Sequence, residues 1–409
     1  MLEDMVIPYV PSQNQALAEW KREGEKALGY FCAAFPKEII YAAGILPVRI
    51  VGTSKAIEEG DVVFCRFACY LSRSSVDLVL KGDLDLLDGT VFSYTCDVMH
   101  YLAPRWQQLF SKDNKFWYYL TRPARSDTEG AVDFFRLELA HFREELEKHF
   151  RTSISNEALQ RSIDVYNESR TLLRKIDALK KQGYISSVEA LKMNFMSMLS
   201  PPDLTNKALR NFIGKCEMER QAKESGRIKI FVSGATLPNT ELFELIEEEG
   251  GVVIDNDLCV GSRYIRGEIS SAQDPLVALA KYYLADDELN RQCSSMLTEG
   301  RHDERRRYIE NARSNHGIDG IIFAIPYNCD KHYWDVIWFV NDFKASNFPA
   351  LTLQQEGNMK SEAIRNYYRR PKMRPKSPDK KGPLIEKGAN GRLSAYLMKR
   401  LSYPWPVLH

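Results

Sequence analysis

The chain has 409 residues, of which 44% are hydrophobic and 27% are charged, and its formal net charge is +1. The length allows two or three domains of ordinary globular composition, and the near-zero charge gives no field to attract nucleic acid or an anionic membrane. No apolar run approaches the roughly 20 residues needed to span a bilayer, and the acidic start, Met1–Met5, is unlike a signal peptide. We therefore expect a cytoplasmic protein without nucleic-acid or membrane partners.

The first part of the chain alternates predicted helices and strands. Residues 13–28 place apolar side chains at helical spacing and precede a glycine, which predicts a helix. A strand is predicted over 29–35. A second helix opens at Pro36, because proline fits the first helical turn, and a second strand covers 46–51.

The second part of the chain repeats this order after a long helical stretch. Residues 133–226 have helical periodicity broken only at Pro201-Pro202, and we interpret them as a helical linker that also covers the sheets. A strand then follows over 227–232, a helix opens within 238–241, and a strand covers 252–254. The order of elements predicts two similar halves.

Two short stretches, one in each half of the chain, have the same sequence pattern. Residues 87–92 and 318–323 each form an Asp-Gly turn and an apolar strand, and Cys96-Asp97 and Cys329-Asp330 follow them. Another strand is predicted in each half, at 115–120 and 348–353. Apolar strands that alternate with helices indicate parallel sheets covered by helices.

We therefore predict an α/β fold with two similar Rossmann- or flavodoxin-like parallel-sheet lobes joined by a helical segment. The predicted divisions are an N-terminal helix at 1–28, a first lobe at 29–132, the helical linker at 133–226, a second lobe at 227–368, and a basic, proline-containing tail at 369–409.

The cysteines carry the candidate chemistry. Disulfides are disfavoured in the reducing cytosol, so the cysteines of a cytosolic protein are buried thiols, catalytic thiols or metal ligands. Because Cys-x-x-Cys is absent, a metal site must be assembled from distant segments. Cys65 and Cys69 are spaced to share one helix face. We interpret Cys32, Cys216 and Cys293 as thiols that pack in the core, because their sequence neighbours offer no second ligand for a metal.

Three other cysteines favour a shared site. Cys96 and Cys329 follow equivalent strands at the sheet edge where α/β proteins bind ligands, and Cys69 lies shortly upstream of one of them. Thiolates from separate segments suit an iron–sulfur cluster, and three ligands would leave one iron of a four-iron cluster open. Zinc with three thiolates is the alternative, and the pattern alone does not separate the two.

At these residues the chain resembles the 2-hydroxyacyl-CoA dehydratase and benzoyl-CoA reductase family. The likeness rests on Gly29–Val48, Ala68-Cys69, Leu87–Asp97 and Cys329-Asp330, and it runs from about Leu28 to Tyr368. It implies an iron–sulfur subunit with two related lobes, in which three cysteines hold a [4Fe-4S] cluster: Cys69, Cys96 and Cys329. It also implies an acyl-CoA substrate, a homologous sister subunit, and an ATP-hydrolysing iron–sulfur activator dimer that supplies low-potential electrons.

Two departures bear on the size of the cluster and on the substrate. The stretch Asn256–Tyr264 carries Cys259 and is similar to benzoyl-CoA reductase-like and double-cubane-cluster members. If Cys259 and the extra Cys65 also reach the site, a larger double-cubane cluster is expected, and otherwise both are buried thiols. The loop 327–331 differs from the usual family sequence, so the details of the substrate pocket stay open.

The family mechanism implied by the resemblance binds the thioester carbonyl near the open iron, where one electron yields a ketyl or aryl radical anion. His100 is a candidate proton donor. Arg73 and Arg263 are candidates for binding CoA phosphates, with ion pairing as the ordinary alternative. Asp97 and Asp330 are more simply explained as helix caps.

No Walker-type glycine motif is present, so ATP hydrolysis must belong to a partner. The Cys259 stretch favours the reductase side of the family. The alternatives are a stand-alone double-cubane-cluster reductase of small molecules and a non-catalytic partner subunit that binds zinc or no metal.

Overall fold

A computed structural model describes residues 9–110, 115–123, 125, 126, 128–219, 226–271, 274–284, 301–346 and 348–356. All of these residues belong to one compact unit that spans Met1–Pro375. Cys293 and the predicted tail at 369–409 lie outside the described residues. The predicted domain boundaries stay predictions.

Two four-stranded parallel sheets form the framework. The strands are β1 Lys26–Tyr30, β2 Ile45–Arg49, β3 Gly89–Ser93, β4 Phe116–Leu120, β5 Ile228–Gly234, β6 Gly251–Asn256, β7 Gly320–Pro326 and β8 Ala350–Gln355. The first sheet has the order β2-β1-β3-β4 and the second has the order β6-β5-β7-β8. The two lobes therefore share one topology, and the predicted pair of similar parallel-sheet lobes is confirmed.

Helices cover these sheets and fill the sequence between them. They are α1 Gln15–Arg22, α2 Lys37–Ala42, α3 Gly60–Val63, α4 Tyr70–Leu80, α5 Asp97–Phe110, α6 Ala131–Phe150, α7 Asn156–Lys181, α8 Ser187–Leu199, α9 Pro202–Glu219, α10 Glu241–Glu248, α11 Pro275–Leu284, α12 Arg301–His316 and α13 Asp330–Ala345. Within the described part of the chain, no helix is long and apolar enough to cross a membrane.

The start of the first lobe differs from the sequence prediction. The first helix ends at Arg22 instead of residue 28, because the chain turns at Gly24, whose φ of 87° suits the left-handed position after a helix. Strand β1 therefore begins at Lys26, and Gly29 lies inside it. A Cβ atom at Gly29 would lie 2.7 Å from the Ile50 Cδ1 atom and 2.8 Å from the Leu87 Cδ1 atom, so the ends of these two side chains would have to shift to admit a larger residue.

The two lobes share a hydrophobic core. A single buried cluster contains Leu46 and Val48 of β2 together with Ile230 and Val232 of β5, and it continues through α8. A second core lies on the other face of the first sheet, and a third lies under α12 and α13. Because one core reaches both sheets, the lobes hold each other in a fixed position.

Each sheet has a topological switch point at its centre. In the first sheet, β2 lies on one side of β1 and β3 lies on the other side. In the second sheet, β6 and β7 flank β5 in the same way. Open parallel sheets bind ligands beyond the carboxyl ends of the two strands that flank such a point. We therefore expect functional residues directly after β1, β3, β5 and β7.

Candidate functional site

Three cysteines occupy the same position at the start of three helices. Cys69 is the N-cap of α4, and Cys96 and Cys329 directly precede α5 and α13. Each cysteine carbonyl accepts the N–H of the residue four positions later, at 3.0–3.3 Å. Helix N-termini favour a negatively charged sulfur, because the backbone N–H groups there lack partners.

We call the loops that carry these cysteines the thiol loops. The first covers residues 64–69, the second covers 94–96 and the third covers 327–329. Two hydrogen bonds across the lobes join the first thiol loop, and the residue that follows it, to the third thiol loop. The Tyr70 backbone N–H donates to the Tyr327 carbonyl at 2.9 Å, and Asn328 Nδ2 donates to the Arg66 carbonyl at 3.2 Å. The third loop thus lies against the first.

The second and third thiol loops are joined by a lysine. Lys331 lies on the first turn of α13, and its ammonium group donates to the Thr95 carbonyl. With the two bonds described above, all three thiol loops are tied into one region at the carboxyl ends of the two sheets. Three distant segments of the chain therefore meet here through direct hydrogen bonds, while their role as a metal site stays a prediction.

The Cys69 thiol of the first loop affects the pKa of the Cys96 thiol in the second loop. Burial and the neighbouring Cys69 raise the pKa of Cys96 to about 12, and Cys32 adds to this effect. Burial also raises the pKa of Cys69, against the lowering effect of the Ser72 hydroxyl and N–H. Both thiols therefore stay protonated at neutral pH unless a cation or a metal compensates the thiolate charge.

Cys32 also lies at this edge of the first sheet, just after the end of β1, as Cys96 follows β3. It has the left-handed φ of 64° that is uncommon for a non-glycine residue, and its electrostatic effect raises the pKa of Cys96. The side chain is partly buried, and its interpretation as a core residue stays a prediction.

The additional candidate ligands lie in two different surroundings. Cys65 is exposed in the first thiol loop and is not on a helix, so the predicted face shared with Cys69 is wrong. The chain bends after α3 and begins α4 only at Tyr70. Cys259 is buried after β6, where its sulfur accepts a hydrogen bond from Arg263 at 3.4 Å. Their role as ligands stays a prediction.

The candidate proton donor lies at the rim of the second thiol loop. His100 is exposed on the first turn of α5, and its Nδ1 atom lies 3.2 Å from the Tyr119 hydroxyl oxygen. Its ring also contacts Tyr94 edge-on. This position fits a group that faces a ligand at the thiol loops, although its role remains a prediction.

The two arginines predicted to bind CoA phosphates are buried and paired. Arg73 bonds to the Ala68 carbonyl at 3.0 Å, to Asp61 at 2.8 Å and to Glu356 at 3.2 Å. It therefore ties the first thiol loop to the end of β8. Its role in binding phosphate stays a prediction that these contacts do not support.

The second arginine belongs to a buried ion network in the second lobe. Arg263 donates to the Gly234 carbonyl at 3.0 Å and lies 3.5 Å from Asp257, which also accepts a bond from Arg305 at 2.7 Å. Burial alone would raise the pKa of Asp257, but Arg305 and Arg263 hold it well below its usual range. The network fixes the loop after β6, and a role for Arg263 with CoA likewise stays a prediction.

Among the described residues, no three His, Cys, Asp or Glu side chains are placed to hold one metal ion. Cysteine thiolates are the ligands of iron–sulfur clusters and also bind zinc, so the ligand type alone is compatible with both.

Comparisons with known proteins agree with the sequence resemblance. A profile of the family described as 2-hydroxyglutaryl-CoA dehydratase, D-component, matches residues 32–366, which include all three thiol loops. The chain is 28% identical over 327 residues to one of the subunits of benzoyl-CoA reductase from Thauera aromatica, a match that covers 77% of this chain and 82% of that protein.

Two dehydratase subunits are also similar. The chain is 23% identical over 345 residues to the beta subunit of (R)-phenyllactyl-CoA dehydratase from Clostridium sporogenes, covering 83% of this chain and 89% of that one. It is 26% identical over 354 residues to the beta subunit of lactoyl-CoA dehydratase from Anaerotignum propionicum, covering 85% and 91%. Both types of relative are subunits of larger enzymes.

Proposed function

Because the chain belongs to the 2-hydroxyglutaryl-CoA dehydratase, D-component, family and is a subunit of an enzyme of the acyl-CoA dehydratase or benzoyl-CoA reductase type, we propose that it is a subunit that binds a [4Fe-4S] cluster. Cys69, Cys96 and Cys329 are its ligands. The observation that carries this proposal is their shared position at three helix N-termini, in loops that hydrogen bonds join across the lobes.

The surroundings of the thiols fit this cofactor. Three helix N-termini and the Lys331 ammonium group offset the negative charge of thiolates that burial alone would disfavour. When bound, the cluster supplies one-electron transfer at low potential. The chain's own residues hold the thiols in place, exclude water from Cys69 and supply His100 at the rim as a proton donor.

We propose an acyl-CoA thioester as the substrate of the assembled enzyme. The relatives act on benzoyl-CoA, phenyllactyl-CoA and lactoyl-CoA by their names, so the shared feature is the thioester and not the acyl group. One-electron reduction of the thioester to a ketyl or aryl radical anion serves both reaction types. ATP hydrolysis belongs to a separate activator that delivers the electron.

A sister subunit is the second proposed partner, and the exposed aromatic residues near the thiol loops support it. Phe67, Tyr101 and Trp334 are 86%, 68% and 54% exposed, and they lie in the first thiol loop and near the starts of α5 and α13. Aromatic side chains are enriched in protein interfaces. A protein that packs there would shield the thiol region from water.

Purification without oxygen, with the sister subunit and activator co-expressed, tests the proposal. We expect about four irons and four sulfides per chain, and turnover of benzoyl-CoA or a 2-hydroxyacyl-CoA that requires ATP and a reductant. A colourless chain that contains zinc or no metal would contradict the proposal. Markedly more iron per chain would favour the double-cubane alternative.

A pair of surface variants tests the partner surface in the same preparation. Trp334→Ser should lower recovery of the sister subunit with the tagged chain. Leu204→Ser, a control on α9 that removes a similarly exposed apolar side chain, should leave recovery unchanged. Equal recovery with both variants would place the partner elsewhere.

A further inference from the structure

A second group of buried charged residues lies away from the thiol loops, at the ends of β1 and β2. Four cations and one carboxylate, each at most 6% exposed, gather there with four tyrosines. The charged residues are Lys37, Glu38, Arg49, Arg170 and Arg266, and the tyrosines are Tyr30, Tyr166, Tyr264 and Tyr283. We call this group the cation pocket.

The contacts within the cation pocket leave an excess of positive charge. Glu38 pairs with Arg170 and accepts a hydrogen bond from the Tyr283 hydroxyl at 2.7 Å. The Lys37 ammonium group instead lies over the ring of Tyr264, 4.0 Å from its centroid. The buried carboxylate of this group is therefore already paired, and Glu268, on which Arg170 acts electrostatically, pairs with Arg174.

The electrostatics of Lys37 reflect this excess. Burial lowers its pKa well below the usual range, and Arg170, Arg49 and Arg266 act in the same direction, against the raising effect of Glu38. Taking charged groups out of water is costly unless opposite charges and hydrogen bonds compensate. The guanidinium groups keep their charge, so the pocket lacks a counter-charge.

Several hydrogen-bond donors in the pocket also lack an acceptor. Nε and Nη1 of Arg49 and Nε of Arg170 are buried without a hydrogen-bond partner, whereas the Tyr30 hydroxyl interacts with the Arg49 guanidinium group. Tyr30 and Arg49 are opposite each other in the register of β1 and β2, with the guanidinium carbon 5.8 Å from the ring centroid. Unsatisfied buried donors on a charged group indicate a missing ligand, because few are otherwise tolerated.

We propose that the cation pocket binds a small oxoanion, a phosphate or a carboxylate, through Arg49 and Arg170. A planar guanidinium presents paired donors that match the oxygens of either group. Because each of these side chains is at most 6% exposed, the ligand that we propose is a free small ion and not the end of a large molecule. The position beyond the ends of two parallel strands is typical of ligand sites. This site is independent of the thiol loops.

Thermal unfolding of the full chain in different salts tests the proposal. Inorganic phosphate and sodium acetate are each titrated against sodium chloride at constant ionic strength and pH. A ligand that binds only the folded state stabilises it in a saturable way. We expect one of the two anions to raise the unfolding midpoint by several degrees over chloride, and the better anion identifies the source as phosphate or carboxylate.

Two variants separate specific binding from general salt effects. Arg49→Met should abolish the saturable rise and lower the midpoint in the stabilising anion. Arg210→Gln, which removes an exposed arginine paired with Glu168, should keep the rise. If no anion is bound, Arg49→Met removes an unpaired buried charge and is as stable as the wild type or more stable in every salt, which would overturn the proposal.

A direct measurement decides the matter if Arg49→Met does not fold. Wild-type chain is washed in chloride buffer and denatured, and the released anions are separated by ion chromatography. One equivalent of phosphate or carboxylate per chain is expected. Its absence, together with no saturable anion effect on the wild-type midpoint, would contradict the proposal.

Discussion

The backbone N–H of Tyr70 donates to the carbonyl oxygen of Tyr327 at 2.9 Å, and this bond joins the two lobes at the thiol loops. It connects the first turn of α4 with the loop after β7. Main-chain bonds of this kind depend on backbone position and not on side-chain identity. The side-chain bond beside it, from Asn328 to the Arg66 carbonyl, is the part that substitution can test.

Two substitutions at Asn328 separate its hydrogen bond from its backbone conformation. Its φ of 58° is left-handed, which glycine adopts freely and alanine does not. Asn328→Gly loses only the bond to Arg66, whereas Asn328→Ala also adds strain of about 1 kcal/mol. We expect Ala to lower the free energy of unfolding more than Gly in a denaturant titration, and both to speed iron loss to a chelator. Equal unfolding free energies would contradict the left-handed assignment.

The buried ion network of the second lobe should be sensitive to loss of its carboxylate. Asp257→Asn leaves Arg305 and Arg263 without their shared counter-charge, so we expect a loss of about 3–5 kcal/mol in the free energy of unfolding. The control Glu310→Gln breaks an exposed pair with Arg306 on α12 and should cost no more than about 0.5 kcal/mol. Similar small losses for both would show that the network does not stabilise the fold.

The same aspartate predicts a pH dependence. Because the folded pKa of Asp257 lies below the unfolded value of about 3.9, its stabilising contribution is complete above that value and is lost as the pH falls below it. Denaturant titrations of wild type and Asp257→Asn should therefore differ most at pH 5 to 7, and the difference should shrink progressively as the pH falls below about 4. A constant difference down to pH 3 would contradict the lowered pKa.

A glycine at the second switch point should not tolerate a side chain. A Cβ atom on Gly234 would lie 1.9 Å from the Ala324 carbonyl oxygen on β7, so Gly234→Ala must push the strands apart. We expect a loss on the order of 1–3 kcal/mol in unfolding free energy. Gly214→Ala on α9, where nothing lies within 4 Å of the added atom, should stabilise the chain by about 0.5–1 kcal/mol. Destabilisation by both would indicate a different strand packing.

His100 provides a test of proton transfer that leaves the thiols in place. In the assembled enzyme with activator and ATP, His100→Gln should lower turnover on the order of 10²-fold, since a positioned general acid contributes at least that much. Iron content should stay at the wild-type value. His141→Gln, an exposed histidine on α6, is the control. Unchanged turnover in His100→Gln would remove this residue from the mechanism.

The two parallel-sheet lobes and the places of Cys96 and Cys329 after strands could be predicted because they depend on local pattern. Apolar strands after Asp-Gly turns predicted β3 and β7 to within three residues at each end, and the parallel arrangement followed from the helices between the strands. Cys96 and Cys329 followed from their places after those strands. The first helix was predicted too long because two glycines, Gly24 and Gly29, could each end it, and only the pairing of Gly29 with Val48 and Thr90 in the sheet shows that it lies in a strand.

The rest depends on contacts between distant residues. Nothing near Lys331 in the sequence indicates that it reaches Thr95 in the other lobe, and nothing near Arg49 indicates that its guanidinium group is buried without an acceptor. The electrostatic effect of Cys32 on Cys96 likewise depends on the pairing of β1 with β3, and the sequence neighbours of Cys32 do not indicate it.

The iron and sulfide content of single-cysteine variants tests the central claim most directly. Cys69→Ala, Cys96→Ala and Cys329→Ala, purified without oxygen with the sister subunit, should each lose most of the cluster while the chain remains folded by circular dichroism. Cys216→Ala, which removes a partly buried thiol on α9, should retain it. Wild-type iron content in any of the three variants would contradict the assignment of that thiol as a ligand, and retention in all three would contradict the account of the site.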